Sequence, residues 1–332
     1  MIDLLSMTLP ELSVFITELK EPAYRAEQIF VWLHKKNTKD FAAMKNLPLS
    51  LRSTLEKNCK ISRVNPVHKR KSGRDGTVKI LYEADGVFIE TVLMSYKHGT
   101  SICISTQAGC RMGCKFCASG EKGLDRNLTA GEYCAQVYNS SSEVKNIVMM
   151  GCGEPLDNFE ATLRFIELIT HPKGKNIGQR HITLSTCGLV PQVNDLAKKR
   201  LQINLAVSLH APTDEIRDVL MPIAKHHPLA DLIPACRHYT ETTRRRITFE
   251  YALVKGINSD ITHAKSLAKL LKGMLCHVNL IPVNGSRFTP ASGGEAASFA
   301  KILQDNRITA TIRRSLGGDI DAACGQLRSR VV

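Results

Sequence analysis

From about residue 100 the chain alternates short apolar runs with longer helical stretches, and this alternation restricts the fold more than any other feature. Apolar runs bounded by turn residues and separated by helix-length segments are the sign of parallel strands joined by crossover helices. The runs lie at 101–105, 146–150, 181–184, 203–207, 247–251, 277–281 and 310–313. They predict an α/β fold of six or seven βα units, a barrel or a partial barrel. An open doubly wound sheet would give a similar pattern, so strand spacing alone leaves closure open.

The part upstream has a different texture. Glu21-Pro22 precedes Ala26, Ile29, Phe30 and Leu33, an apolar set at helical spacing that predicts an amphipathic helix opened by proline. A second helix is expected over 49–57, and charge and glycine concentrate over 69–76 as in a connection. A boundary near residue 70 follows, giving a small helical accessory domain at 1–70. A connecting hairpin over 71–100, built from the runs 78–82 and 87–93, then leads into a main body at 101–332.

With 43% hydrophobic and 23% charged residues in 332, the chain can bury a sizeable core and is not expected to be mainly disordered. Its apolar runs are far shorter than the roughly 20 residues of a membrane helix. The start contains Asp3 and Glu11 and lacks a basic leader and a small-residue cleavage site, so a cytoplasmic protein is expected. No heptads mark a coiled coil, and a monomer is expected. Lys and Arg outnumber Asp and Glu by 45 to 31, a formal charge of +14 that favours a polyanion, nucleic acid first. The basic groups at 68–71, 198–200, 244–246 and 313–314 are scattered, and no aromatic platform for stacking bases is evident; the one tryptophan, Trp32, is expected in the core. Eleven cysteines without a secretory signal argue for metal or redox chemistry over a disulfide framework.

The strongest motif is Cys110-Arg-Met-Gly-Cys114-Lys-Phe-Cys117, in a loop just after the first barrel strand. A structural zinc site closes four ligands, whereas three cysteines hold three irons of a four-iron cluster and leave the fourth open to a small molecule. Other polar residues fall at the carboxyl ends of expected strands, where barrel active sites gather. They are Gly153 and Glu154 in Gly151-Cys152-Gly153-Glu154-Pro155, then Ser185, Ser208-Leu209-His210 and Asn284. Taken singly, each has a plainer use: serines cap helices, His210 suits a structural histidine, and Asn284-Gly285 suits a turn. Their common placement is the informative part. Cys103 lies within the first strand, and Cys324 follows Gly317-Gly318 in a loop at the expected barrel mouth. An isolated cysteine is usually buried filler, yet a thiol at the mouth suits a nucleophile.

These residues carry a resemblance. The CxxxCxxC spacing is similar to that of the radical S-adenosylmethionine (SAM) superfamily. Cys103-Ile-Ser-Thr-Gln-Ala-Gly-Cys110, Gly153-Glu-Pro155, Ser208-Leu-His-Ala-Pro212 and Asp319-Ile-Asp-Ala-Ala-Cys-Gly-Gln-Leu327 together resemble the RlmN/Cfr family, over nearly the whole chain. The resemblance implies a partial (βα)6-type radical SAM barrel and a 4Fe-4S cluster on Cys110, Cys114 and Cys117. It implies two SAM molecules per turnover and cofactor-binding positions at Gly153, Glu154, Ser185, Ser208, Leu209, His210 and Asn284. In the implied reaction Cys324 is methylated first, its methyl becomes a carbon radical that adds to an RNA adenine, Glu90 accepts a proton, and Cys103 releases the product by forming a disulfide with Cys324. The implied partners are 23S ribosomal RNA, transfer RNA and an external one-electron reductant such as flavodoxin or ferredoxin. Cys152 stands where the family often has methionine and Cys187 where serine is common; Cys59, Cys134, Cys236 and Cys276 are expected spectators.

Two alternatives stay open at this level. The same machinery aimed at carbon 8 instead of carbon 2 of the ribosomal adenine shares every motif quoted; Thr106-Gln-Ala-Gly109 and His277-Val-Asn-Leu-Ile-Pro282 resemble the carbon 2 branch more closely. A non-catalytic iron-sulfur RNA-binding or sensor protein would need the cluster and the basic surface but neither Cys103 nor Cys324.

Overall fold

The computed structural model describes residues 1–327 apart from 98, 141, 142, 285 and 286, so Gly285 of the expected turn lies outside the described residues. The chain begins with β1 (Ile2–Asp3), α1 (Leu9–Glu18), α2 (Tyr24–His34), α3 (Leu49–Asn58) and β2 (Cys59–Lys60), the two short strands pairing in parallel. α1 opens on a capping box in which Glu11 accepts a hydrogen bond from the Thr8 N–H at 2.8 Å. α2 buries Ala26, Ile29, Phe30 and Leu33, the set whose spacing marks it. Trp32 departs from the expectation of a core residue. It is only partly buried, beneath the Lys36 ammonium at 3.6 Å from its ring.

Next come β3 (Asn65–Lys71), β4 (Val78–Ala84), β5 (Val87–Tyr96) and β6 (Gly99–Cys103), an antiparallel meander. The expected hairpin is β4–β5. β3 corrects the reading of 69–76 as a connection, because the turn is confined to the residues after Lys71 and closes with Ser72 N–H donating to the Thr77 carbonyl at 2.8 Å. Edge strands need no apolar alternation, and β3 is exposed almost throughout, which hid it in the sequence.

β7 (Gln107–Gly109) and β8 (Leu124–Asn127) form a small separate pair around the cysteine loop. The barrel then proceeds through α4 (Ala130–Tyr138), β9 (Val144–Met149), α5 (Phe159–Thr170), β10 (Ile182–Thr186), α6 (Val190–Lys198) and β11 (Asn204–Ser208). It continues through α7 (Asp214–Leu220), α8 (Leu229–Thr243), β12 (Ile247–Leu253), α9 (Ile261–Leu271), β13 (Cys276–Pro282), α10 (Gly293–Asp305) and β14 (Thr309–Ile312). Among the described residues ten strands form one sheet, in the order β14-β13-β12-β11-β10-β9-β6-β5-β4-β3. The seven from β6 to β14 run parallel, and β14 pairs with β13 but not with β6, so the barrel is partial. Leu205, Ala206 and Val207 of β11 are all buried, as befits a central parallel strand covered on both faces.

The helical start is not a separate body. Leu12, Ile16, Phe30 and Leu55 belong to the same packed cluster as Ile147 and Leu205 of the barrel. Asp3 reinforces the joint: it accepts from Ser62 Oγ at 2.7 Å and from Ser6 Oγ, which in turn accepts from the Gly131 N–H of α4 at 2.8 Å.

At the other end the chain crosses the barrel mouth. Gly317 N–H donates to Asp75 at 2.9 Å, Lys79 Nζ donates to the Asp321 carbonyl at 3.1 Å, and Arg70 pairs with the Asp321 carboxylate at 3.6 Å. Ile320, Ala322 and Leu327 then pack with Val92 and Met94 of β5. This strap brings Cys324 to the carboxyl ends of the strands.

Candidate functional site

The cysteine loop is fixed at its base by backbone geometry. Gly109 has φ +76°, and a Cβ there would lie 2.1 Å from the Gly123 carbonyl oxygen, so only glycine lets the two sides of the loop meet. Cys110 N–H donates to that same carbonyl at 2.8 Å, and Lys115 N–H donates to the Leu220 carbonyl at 2.9 Å. Cys110, Cys114 and Cys117 consequently line one cavity of about 930 Å³ at the barrel mouth. Burial pushes the Cys110 thiol up to about 12, and it raises Cys114 and Cys117 as well; neighbouring thiolate charge adds to all three. These thiols need a multivalent cationic partner to ionise.

Opposite them, Gly151-Cys152-Gly153-Glu154 follows β9. Glu154 is buried, its carboxylate accepting from Leu156 N–H at 3.0 Å and Cys187 N–H at 2.7 Å, while burial holds its pKa above the ordinary value. Gln107 joins this turn to the cysteine loop: its Oε1 accepts from Glu154 N–H, and its Nε2 donates to Asn127 and Asp157, all at 2.8 Å. Asp157 also accepts from Arg111 Nε at 2.9 Å.

Gly153, Glu154, Ser185, Ser208, His210 and Asn284 all line the cavity, as expected from their strand-end positions. Leu209 is fully buried and is not part of the wall; its N–H donates to the Glu250 carbonyl at 3.0 Å. His210 is held by Ala252 N–H, which donates to Nδ1 at 2.9 Å, and stands edge-on to Phe116 at 4.7 Å. Burial lowers its pKa to about 3, so the ring is neutral with its proton on Nε2, leaving one donor. Asn284 Nδ2 donates to the Cys324 carbonyl at 3.4 Å, and Asn284 Oδ1 accepts from Ser315 Oγ at 3.2 Å.

Cys324 is exposed and lines the cavity. Cys103 does not reach the wall. It lies buried behind Cys324, packed in a cluster with Cys152, Ala322 and Leu327, and burial pushes its thiol up to about 12. Glu90 also lies off the cavity wall, on the face of β5 shared with Val92 and Met94, and Lys79 Nζ pairs with it at 3.0 Å. All the described cysteines are free thiols.

Sequence reasoning missed Glu250 and Arg313. Both line the cavity: Glu250 is buried on β12 and accepts from Asn279 Nδ2 at 2.8 Å, and Arg313, just beyond β14, approaches Glu250 at 4.0 Å and Met150 Sδ at 3.9 Å. An acidic residue inside the apolar run 247–251 was the available signal for the first. Arg313 was visible only as half of a basic pair.

Residues 2–61 match the family described as the ribosomal RNA large subunit methyltransferase N-terminal domain, and residues 104–267 match the radical SAM superfamily. The probable dual-specificity RNA methyltransferase RlmN of Clostridium novyi (strain NT) is 49% identical over 99% of this chain and 98% of that protein. The chain belongs to the RlmN family of radical SAM enzymes. A Clostridium tetani relative with the same description is 50% identical over 100% of this chain and 97% of its own. The crystal structure of a radical SAM methyltransferase from Sphaerobacter thermophilus superposes with a TM-score of 0.94 at 45% identity, covering 99% of this chain and 100% of that one.

RlmN-family membership implies a 4Fe-4S cluster and SAM, and the residues present fit both. Among the described residues no three His, Cys, Asp or Glu side chains converge to hold a single metal ion. A polynuclear cluster takes each thiolate at a different iron, so three thiols spread along one cavity wall suit it. The buried Glu154 carboxylate, the His210 Nε2 proton and Asn284 supply polar groups of both senses across from the thiols, as a zwitterionic amino-acid moiety requires.

Proposed function

We propose that the chain methylates carbon 2 of adenosine in 23S ribosomal RNA and in transfer RNA, by way of a methyl group carried on Cys324. The observation that supports this most is the sharing of one cavity by Cys110, Cys114, Cys117 and the exposed Cys324. A sensor or a purely structural cluster has no use for an unpaired thiol at its edge. The names of the full-length relatives, probable dual-specificity RNA methyltransferases, support an RNA substrate of more than one kind, and the resemblance of Thr106-Gln-Ala-Gly109 and His277-Val-Asn-Leu-Ile-Pro282 to the carbon 2 branch supports the position.

In this reading the Cys324 sulfur attacks the methyl carbon of SAM, losing its own proton to solvent, and becomes S-methylcysteine as S-adenosylhomocysteine leaves. When bound, the cluster and a further SAM supply the one-electron chemistry that removes hydrogen from that methyl. Cys110, Cys114 and Cys117 hold the cluster, and Gly153, Glu154, Ser185, Ser208, His210 and Asn284 hold SAM. Leu209 contributes through its backbone position. Asn284 also fixes the Cys324 loop, through the bond to the Cys324 carbonyl. Carbon bonded to ring carbon leaves the protein covalently attached to RNA, and for the aromatic ring to be restored the adduct must give up one electron, which the cluster would take back when bound, and one proton. Glu90 is the carboxylate assigned to that proton, with Lys79 holding it against the strap. Cys103, packed in one cluster with Ala322 and Leu327 of the strap, then attacks the Cys324 sulfur and breaks its bond to the transferred carbon; that carbon keeps the electron pair, takes up a proton to become the methyl group, and leaves with the RNA, while the disulfide that remains is reopened by an external reductant.

Peptide mass spectrometry tests the assignment. After expression in cells the peptide containing Cys324 should carry one methyl group, absent from Cys324→Ser. An unmodified Cys324 in protein that methylates RNA would overturn the role given to it.

A further inference from the structure

Beside Cys324 lies a second, open hollow that shares Arg313, Asn284 and Cys324 with the first and touches none of Cys110, Cys114 and Cys117. Among the described residues two guanidinium groups and no carboxylate line it, which suits it to an anion. Arg313 is already engaged with Glu250 and Met150, whereas Arg314 is exposed and makes no hydrogen bond or ion pair among the described residues. Tyr96 forms another wall from the end of β5; it is 41% exposed, and its hydroxyl donates to Met94 Sδ at 3.7 Å, which fixes the ring at the rim. The phenol feels the charges of both arginines, so the three groups share one locality.

An aromatic face and a free guanidinium at one rim are the two elements that hold an unstacked nucleotide. An enzyme acting on a ring carbon must draw the target base out of its stack, and the bases beside it then lose a stacking partner. We propose that Tyr96 and Arg314 form the subsite for the nucleotide adjoining the target adenosine, its base against the Tyr96 ring and its phosphate on the Arg314 guanidinium. This rests on the RNA-methylating reading above and adds to it the group that fixes register: the neighbour is clamped on the outer side of Cys324 while the target faces the inner cavity.

The test uses reconstituted holoenzyme and an RNA hairpin containing the target adenosine, together with copies in which the base 5′ or 3′ of the target is replaced by an abasic ribose. For wild type, one of the two abasic hairpins should bind about tenfold more weakly. Tyr96→Leu should bind the intact hairpin about tenfold more weakly and be indifferent to that abasic change, while Tyr96→Phe should behave as wild type. Arg314→Gln should reduce the slope of log affinity against log salt by about 0.7, the loss of one single-strand phosphate contact, and Arg314→Lys should restore it. Methylation of Cys324 from SAM without RNA reports that each variant is folded. Equal abasic penalties in wild type and Tyr96→Leu, or an unchanged salt slope in Arg314→Gln, would overturn the subsite while RNA methylation by wild type stands. Wild type that loads Cys324 but leaves adenosine unmethylated would instead overturn the reading beneath it, and the subsite with it.

Discussion

Replacing Gly153 by alanine tests whether the turn after β9 is held as tightly as the site requires. Gly153 has φ +102°, where an L side chain is strained, and a Cβ there would lie 2.6 Å from Gln107 Cβ and 2.7 Å from Gln107 N. The backbone strain alone costs about 1–3 kcal/mol. Relieving the overlap adds about 1–3 kcal/mol, because the neighbour is partly backbone and cannot swing aside. The sum, about 2–6 kcal/mol, is a large share of a typical domain's stability. The relief must come through Gln107, whose Oε1 holds Glu154 N–H and whose Nε2 holds Asn127 and Asp157, so both walls of the cavity shift. Gly256→Ala is the control, since Gly256 also has positive φ, at +74°, with nothing within 4 Å of the added Cβ. Urea unfolding should show Gly153→Ala losing at least about 2 kcal/mol and exceeding Gly256→Ala, with SAM binding lost in the former alone. A loss below about 0.5 kcal/mol, or equal losses in the two variants, would refute the reasoning.

Acid sensitivity should have a traceable source in His34, which burial, helped by the charge of His171, holds down at about 3 in the folded protein. Its unfolded value is near 6.5, so the unfolded chain alone takes up the proton between these limits and stability falls as pH drops below about 6.5, by about 1.4 kcal/mol per unit. His34→Phe should flatten the pH dependence of urea stability by that slope; an unchanged slope would count against it. Arg217 is fully buried, with its guanidinium donating to the His227 and Cys187 carbonyls, both at 2.8 Å. Arg217→Met leaves two buried acceptors unpaired and should lower stability by about 2–4 kcal/mol in urea unfolding. The strap should loosen in Asp75→Ala, which removes the acceptor of Gly317 N–H: iodoacetamide should label Cys324 faster while global stability falls by only about 1 kcal/mol.

The barrel was legible because its information is local. Each of the seven apolar runs became a parallel strand, and the spacing in α2 marked the helix that was found. β3 was not legible, since an edge strand exposed to solvent carries charge instead of alternation. The thiols of Cys110, Cys114 and Cys117 were legible from spacing, and six strand-end residues line the cavity as anticipated. Gln107 stood inside a quoted motif without a role, because its importance lies in bonds to residues 20 to 50 positions away. Arg313 and Tyr96 required the tertiary fold, because only the partial barrel brings the ends of β14 and β5 to Cys324. The roles of Glu90 and Cys103 were implied by family resemblance alone, and their positions off the cavity wall go with the pairing of β5 and β6 beneath the strap.

The most direct test of the central claim is nucleoside mass spectrometry after anaerobic incubation of the reconstituted protein with reductant, SAM and unmodified 23S ribosomal RNA. The account predicts 2-methyladenosine, formed by wild type and not by Cys324→Ser. A product methylated at carbon 8, or no methylated adenosine from protein with an intact cluster and a methylated Cys324, would contradict it.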